Sequence, residues 1–230
     1  MKRFWKSASA VEADGGFAIE LDGRRVKTPA RAELIVPTRG LANAIAAEWN
    51  ECGETVDPRA MPLTGLANAV IDRVAPDKQQ FADGIARYAE TDLICYRAEG
   101  PDTLVARQAE SWDALLGWAR RRYDVDFACQ RGVMHVAQPE ETIRKLGHAV
   151  AVLDVFYLAG LSPLVTIGGS LVAGLAVLEK MMPATEAWEA VSLDDRWQME
   201  QWGVDAEAEA ALDLRRQDFL VAARFLELLD

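Results

Sequence analysis

Residues 158–178, LAGLSPLVTIGGSLVAGLAVL, run for 21 positions without a charge. A stretch like this can cross a membrane, wrap a phosphate with its paired glycines, or lie inside a large protein core. Crossing takes about 20 apolar residues in one unbroken helix, roughly 30 Å at about 1.5 Å each. Ser162-Pro163 predicts a break, because serine caps a helix and proline fits its first position, where a missing N–H costs nothing. Gly160 is then placed to end the helix before it. The remaining helix, 163–178, is on the order of 24 Å long and too short to span. The glycines do not help a nucleotide either. Gly168, Gly169 and Gly174 fit neither GxGxxG nor a P-loop, and they fall inside a helical pattern. A buried helical hairpin is the expectation.

The charge agrees with that reading. Of the net −11, residues 177–230 contribute −8, with thirteen acids against five bases. An acidic C-terminal segment repels phosphate backbones and anionic lipid heads. This argues against nucleic acid and a membrane surface as partners, as the broken run argues against membrane insertion, and favours a partner with a basic face. Cys52, Cys95 and Cys129 are scattered and odd in number. They support neither a disulfide framework nor a zinc site, and are expected as three buried thiols.

Hydrophobic periodicity divides the chain. Phe17, Ile19 and Leu21 alternate with Ala18 and Glu20 ahead of Asp22-Gly23, a hairpin signal because both turn residues tolerate positive φ. Val26 continues the return strand, Leu34-Ile35-Val36 supplies another, and Phe4-Trp5 is a candidate for one more. Past Pro37 the period becomes helical. Thr38 caps a helix with Leu41, Ile45 and Trp49 on one stripe, and residues 103–123 form a longer helix. The expected fold is α+β, with a small β-rich N-terminal domain at 1–58 and a larger α-helical domain at 59–230.

Catalytic signatures do not emerge. His135 and His148 come without GxSxG or HExxH, and no cofactor, nucleotide or metal motif is recognisable. The expectation is a non-enzyme with no catalytic residues, no metal and no cofactor. An enzyme with a spatially assembled carboxylate site in the helical domain is the alternative.

SLDDRWQMEQWG, 192–203, is the most distinctive stretch. Ser192 is read as an N-cap, with Asp194 and Asp195 in the positive first turn and Gly203 ending the helix. Trp197, Glu200 and Trp202 complete a composition suited to binding, in which rings bury area and carboxylates select a basic partner. The tryptophans could equally be core and the acids solvated, and composition does not decide between these.

RFWK (3–6), LDGRRVKTP (21–29), AAEW (46–49), MPLTGLAN (61–68), TDLICYRAE (91–99) and LDDRWQMEQWG (193–203) follow in this order. Together they resemble the assembly chaperones that bind the alpha subunit of the soluble ATP synthase head. The resemblance covers nearly the whole chain. It implies a protein that holds the free alpha subunit until the beta subunit replaces it, without nucleotide, through a β-rich N-terminal and an α-helical C-terminal domain. Carried onto this sequence, Asp194, Asp195, Trp197, Glu200 and Trp202 are the candidate partner-binding residues, whereas Trp49 is expected in the core. Because the chain starts almost at the first motif, the resemblance implies the bacterial cytoplasm, or the mitochondrial matrix for a processed eukaryotic member.

Overall fold

The computed structural model describes residues 2–203 and 205–230. Its fold is α+β and has two compact units, neither continuous in sequence. One comprises Met1–Lys78, Asp154–Gly160 and Arg224–Asp230, the other Gln79–Leu153 and Leu161–Ala223.

The first unit contains the main sheet. Strand β2 (Gly16–Leu21) is central, paired antiparallel with β1 (Ala8–Ala13) along one edge and with β3 (Arg24–Arg25) and β4 (Ile35–Val36) along the other. Asp22 and Gly23, at φ 48° and 80°, make the β2–β3 turn as their residue types predict. A second Asp-Gly turn at Asp14-Gly15 joins β1 to β2, a strand pairing not expected from the sequence. Gly16 has no alternative, since a Cβ there would lie 2.3 Å from the Val36 carbonyl oxygen. Phe4 and Trp5 are not in a strand. Trp5 is instead buried edge-on against Trp49, and its indole N–H donates to the Trp49 carbonyl at 3.1 Å.

Helix α1 (Arg39–Glu51) lies on this sheet and buries Leu41, Ala42, Ile45, Ala46 and Trp49. Thr38 Oγ1 accepts from Leu41 N at 3.2 Å, so the expected cap forms. At the other end Arg3 donates to the carbonyls of Asn50 and Cys52, at 3.1 and 2.5 Å, where helix carbonyls lack partners. Helix α2 (Pro62–Ala69) has no cap of its own. Glu48 of α1 supplies one, accepting from the backbone N–H groups of Leu63 and Thr64, both at 2.8 Å. A π-helical turn, Val70–Val74, follows.

The second unit is helical: α3 (Lys78–Ala86), α4 (Asp102–Tyr123), α5 (Glu140–Ala151), α6 (Val155–Gly168), α7 (Leu171–Leu178), α8 (Ala184–Val191), α9 (Leu193–Trp202) and α10 (Ala206–Glu227), with parts of α3, α6 and α10 belonging to the first. A parallel two-stranded ladder joins β5 (Tyr96–Arg97) to β6 (Gln130–Arg131). Helix α4 buries Leu104, Trp112, Leu115, Leu116 and Ala119, the inward stripe its spacing predicts.

The uncharged run breaks at a different place from the one expected. Helix α6 continues through Ser162-Pro163, and the break falls at Gly169-Ser170. Gly169 takes φ 68°, a left-handed conformation that suits glycine, and Ser170 Oγ accepts from Ala173 N at 3.0 Å to cap α7. Gly160 is mid-helix, and a Cβ there would lie 2.5 Å from Leu226 Cδ2. The two glycines therefore exchange the roles the sequence suggested. Helix α7 is buried from Leu171 to Ala176, and among the described residues no helix is long and apolar enough to cross a membrane.

Asp92 is wholly buried at this break. Its carboxylate accepts from Ile94 N at 3.3 Å and Val172 N at 2.9 Å, with the Ser170 hydroxyl donating as well. Burial nevertheless dominates and pushes its pKa up to about 6.

Candidate functional site

Helix α9 forms as the sequence predicts, and Gly203 ends it at φ 91° with its N–H on the Met199 carbonyl. Its start differs. Ser192 makes no side-chain cap; its hydroxyl donates to the Trp188 carbonyl at 2.7 Å, because the same residue already closes α8. Asp194 and Asp195 are still in the first turn, close to the positive end of the helix dipole.

All three candidate carboxylates have partners within the chain. Asp194 Oδ1 accepts from Gln108 Nε2 at 2.7 Å, and Gln108 is a buried residue of α4. Asp195 pairs with Arg215 of α10 at 3.1 Å, and Glu200 with Arg107 of α4 at 2.6 Å. The last two pairs are about half exposed, where solvent leaves an ion pair worth about 1 kcal/mol or less. Asp194 differs in kind. Gln108 also accepts from Ala98 N through Oε1 at 2.7 Å and passes its carbonyl to Arg97, so Asp194 ends a hydrogen-bonded chain that starts beside β5.

The two tryptophans divide. Trp197 is half-buried and meets Trp202 edge-on at 5.9 Å, while Trp202 is 75% exposed. Beside Trp202 a groove of about 390 Å³ runs between α9 and α10, lined by Met199, Ala208, Ala211 and Leu212, with Asp195, Asp205 and Arg215 at its polar positions. Across α9 a second groove, about 330 Å³, is charged. Arg107, Glu110, Glu186, Glu189, Arg196 and Glu200 line it.

Sequence reasoning missed the other wall of the first groove. Of residues 206–218, the first half of α10, every one is exposed except the half-buried Leu212, and Leu214 is 59% exposed. The signal was present in AEAEAALD, where small residues alternate with acids and leave no large apolar stripe to bury. Arg107, Gln108 and Arg215, the partners of the acids, come from distant helices that no local pattern connects to α9.

The remaining reactive groups are placed elsewhere. His135 Nδ1 contacts the Tyr96 hydroxyl at 3.2 Å on the surface, and His148 is exposed on α5. Of the expected buried thiols, Cys52 and Cys95 are buried, whereas Cys129, in the irregular segment just ahead of β6, is exposed. Arg120 and Arg122, in the basic triplet at the end of α4, pair with Asp126 and Glu179.

Solved proteins share this architecture. The crystal structure of Atp12 from Paracoccus denitrificans matches the whole chain and 98% of its own, at 41% identity and a TM-score of 0.95. A protein from Agrobacterium tumefaciens matches at 38% identity, again over the whole chain, with 86% of its own length and the same TM-score. Mitochondrial atp12 of Schizosaccharomyces pombe is 25% identical over 88% of this chain and 74% of its own. These likenesses place the fold among chaperones. The family described as the ATP12 chaperone protein matches residues 2–120, more than half of the sequence. The chain belongs to this family, the assembly chaperones of the ATP synthase.

Proposed function

We propose that the chain holds the free alpha subunit of the ATP synthase soluble head until the beta subunit replaces it. The contact is made through α9 and the exposed half of α10. An alpha subunit awaiting beta presents a large, partly apolar interface, which is an aggregation hazard. Holding it takes apolar area, shape and selective charge, with no catalytic group and no nucleotide.

The observation that supports this most is Trp202, a tryptophan 75% exposed beside a groove of small and apolar residues. Beyond its edge contact with Trp197, exposing such a ring in water gains the fold little, whereas at interfaces tryptophan is a frequent energetic anchor. The surrounding acids, Asp195, Glu200 and Asp205, suit a client with basic residues around an apolar contact. Among the described residues, Asp92, whose pKa is pushed up to about 6 by burial, is at a helix end and lines neither groove.

The test is to dilute denatured alpha subunit into buffer with increasing amounts of this chain, without ATP, and follow light scattering. Aggregation should be suppressed at near-stoichiometric chaperone, and folded beta subunit should then displace it into an alpha–beta complex. Undiminished aggregation, or suppression only with hydrolysed ATP, would refute the proposal.

A further inference from the structure

We infer that Cys95 and Cys129 form a reversible intramolecular disulfide, a redox-modification site in the second unit. The inference starts from the register of the parallel ladder, where Tyr96 is opposite Gln130 and Arg97 opposite Arg131. The two cysteines each precede their strand by one residue. Cys95 closes the 3-10 turn Leu93–Cys95 and Cys129 leads into β6, so the first rung of the ladder brings their chains together, and neighbouring strands are about 4.8 Å apart. A disulfide needs Cα atoms about 4.4–6.8 Å apart, a range that includes the spacing of the rung directly beside the two cysteines. The side chains agree, since the two thiols are near enough for Cys129 to act on Cys95.

The two thiols differ in what they can do. Cys129 is exposed and open to a small oxidant, whereas Cys95 is buried. Desolvation, reinforced by the nearby Asp92 charge, pushes the Cys95 thiol well above its ordinary range. Cys129 therefore reacts first. With a peroxide as oxidant, the Cys129 sulfur attacks one peroxide oxygen, the O–O bond breaks, and water leaves Cys129 as a sulfenic acid. The Cys95 sulfur then attacks the Cys129 sulfur. An S–S bond forms, and the S–OH bond breaks with the hydroxide taking the Cys95 proton. In sum, two thiols and one hydrogen peroxide give one disulfide and two waters, two electrons passing from sulfur to oxygen. The second step is the slower one, because Cys95 has so little thiolate. A dithiol reverses the product by exchange. Cys52 is an internal control, buried against Met61 Sδ at 3.4 Å.

The experiment treats the fully reduced, full-length chain with a small excess of hydrogen peroxide, blocks free thiols, and maps peptides by mass spectrometry without reductant. The expected product is a Cys95–Cys129 linked peptide, lighter by two hydrogens than its reduced parts and lost on adding dithiothreitol. Cys52 should remain a free thiol, and early time points should yield Cys129 trapped by dimedone. Cys129→Ser, at an exposed position, should fold normally and abolish the link. If Cys129 instead proceeds to sulfinic acid or to dimers between chains, with Cys95 still free on unfolding, the two cysteines are not a pair.

Discussion

The acidic residues in the shared motifs act mainly as local hydrogen-bond acceptors. Glu48 caps α2, Asp92 holds the start of α7, and Asp22 receives the Lys6 and Ser7 N–H groups, which hold its carboxyl below the usual range. RFWK, LDGRR, AAEW, MPLTG and TDLICYR were thus legible as a signature but not as structure, because the partners are distant in sequence, in another motif for Glu48 and Asp22 and at the start of α7 for Asp92. Asp92 gives the sharpest consequence. Its folded pKa is raised from 3.8 to about 6, so the native state binds its proton more tightly than the unfolded chain does. Stability from this group is therefore full below about pH 4 and lost as pH rises through about 6. At about 1.4 kcal/mol per pKa unit the ionised carboxylate costs on the order of 3 kcal/mol at neutral pH. Asp92→Asn removes that charge but also turns an N–H donor toward backbone N–H groups. The variant should therefore be destabilised most at pH 4.5, with the gap to wild type narrowing toward pH 7.5. Urea midpoints across that range check it; a constant gap would mean that Asp92 does not titrate on unfolding.

The carboxylates of α9 differ among themselves in a way composition did not reveal. Asp194→Lys would leave the buried Gln108 amide facing an ammonium, and an unpaired buried donor costs about 1–3 kcal/mol. At roughly 2–4 °C per kcal/mol for a chain of this size, its melting temperature should fall by several degrees. Glu200→Lys breaks only a half-exposed pair with Arg107 and should cost about 1 kcal/mol or less. It is the cleaner probe of client binding, and should melt near wild type yet protect alpha subunit poorly. Full protection by Glu200→Lys at limiting chaperone would remove this carboxylate from the binding surface.

Among the elements, those with a large apolar stripe were legible and those without were not. Thr38, Leu41, Ile45 and Trp49 announced α1, and Trp112, Leu115 and Leu116 announced α4, because caps and bulky residues at helical spacing leave few alternatives. Strand β1, ASAVEA, has small residues on both faces and gave no alternation to read, although Asp14-Gly15 marked its turn. The break in the uncharged run was misplaced because two Gly/Ser pairs compete for it, and tertiary packing chooses. Gly160 is occupied with the close approach of Leu226, which leaves Gly169 to reverse the chain. The choice can be measured. Ser170→Ala should cost about 1–2 kcal/mol through the lost cap, and more where Asp92 also misses its hydroxyl donor. Ser162→Ala, within α6, should stay within about 0.5 kcal/mol of wild type. Denaturant melts that reversed this order would put the break back at Ser162-Pro163.

For the whole molecule, the sequence led to the α+β class and to the helix that carries the candidate site, but not to the distant segments that join each unit. Residues 224–230 belong to the first unit, where Thr38 Oγ1 donates to the Leu228 carbonyl at 2.5 Å and Phe225 stacks on Phe156. Nothing local in FLELLD signals a partner some 190 residues away. The same blindness applied to the tryptophans. Trp188 and Trp202 are alike in composition, yet Trp188 is buried against Phe219 and Trp202 stands in solvent. Their alanine variants should therefore separate stability from function. Trp188→Ala removes a buried ring and should cost about 3–5 kcal/mol. Trp202→Ala gives up mainly an edge contact with Trp197 and should cost about 1 kcal/mol or less, so its melting temperature should stay within a few degrees of wild type. If Trp202 anchors the client, losing about 2 kcal/mol of binding weakens the complex some thirtyfold. A titration of alpha-subunit protection by Trp202→Ala at unchanged stability reads that loss directly. Wild-type protection by this variant would place the contact away from the α9–α10 groove.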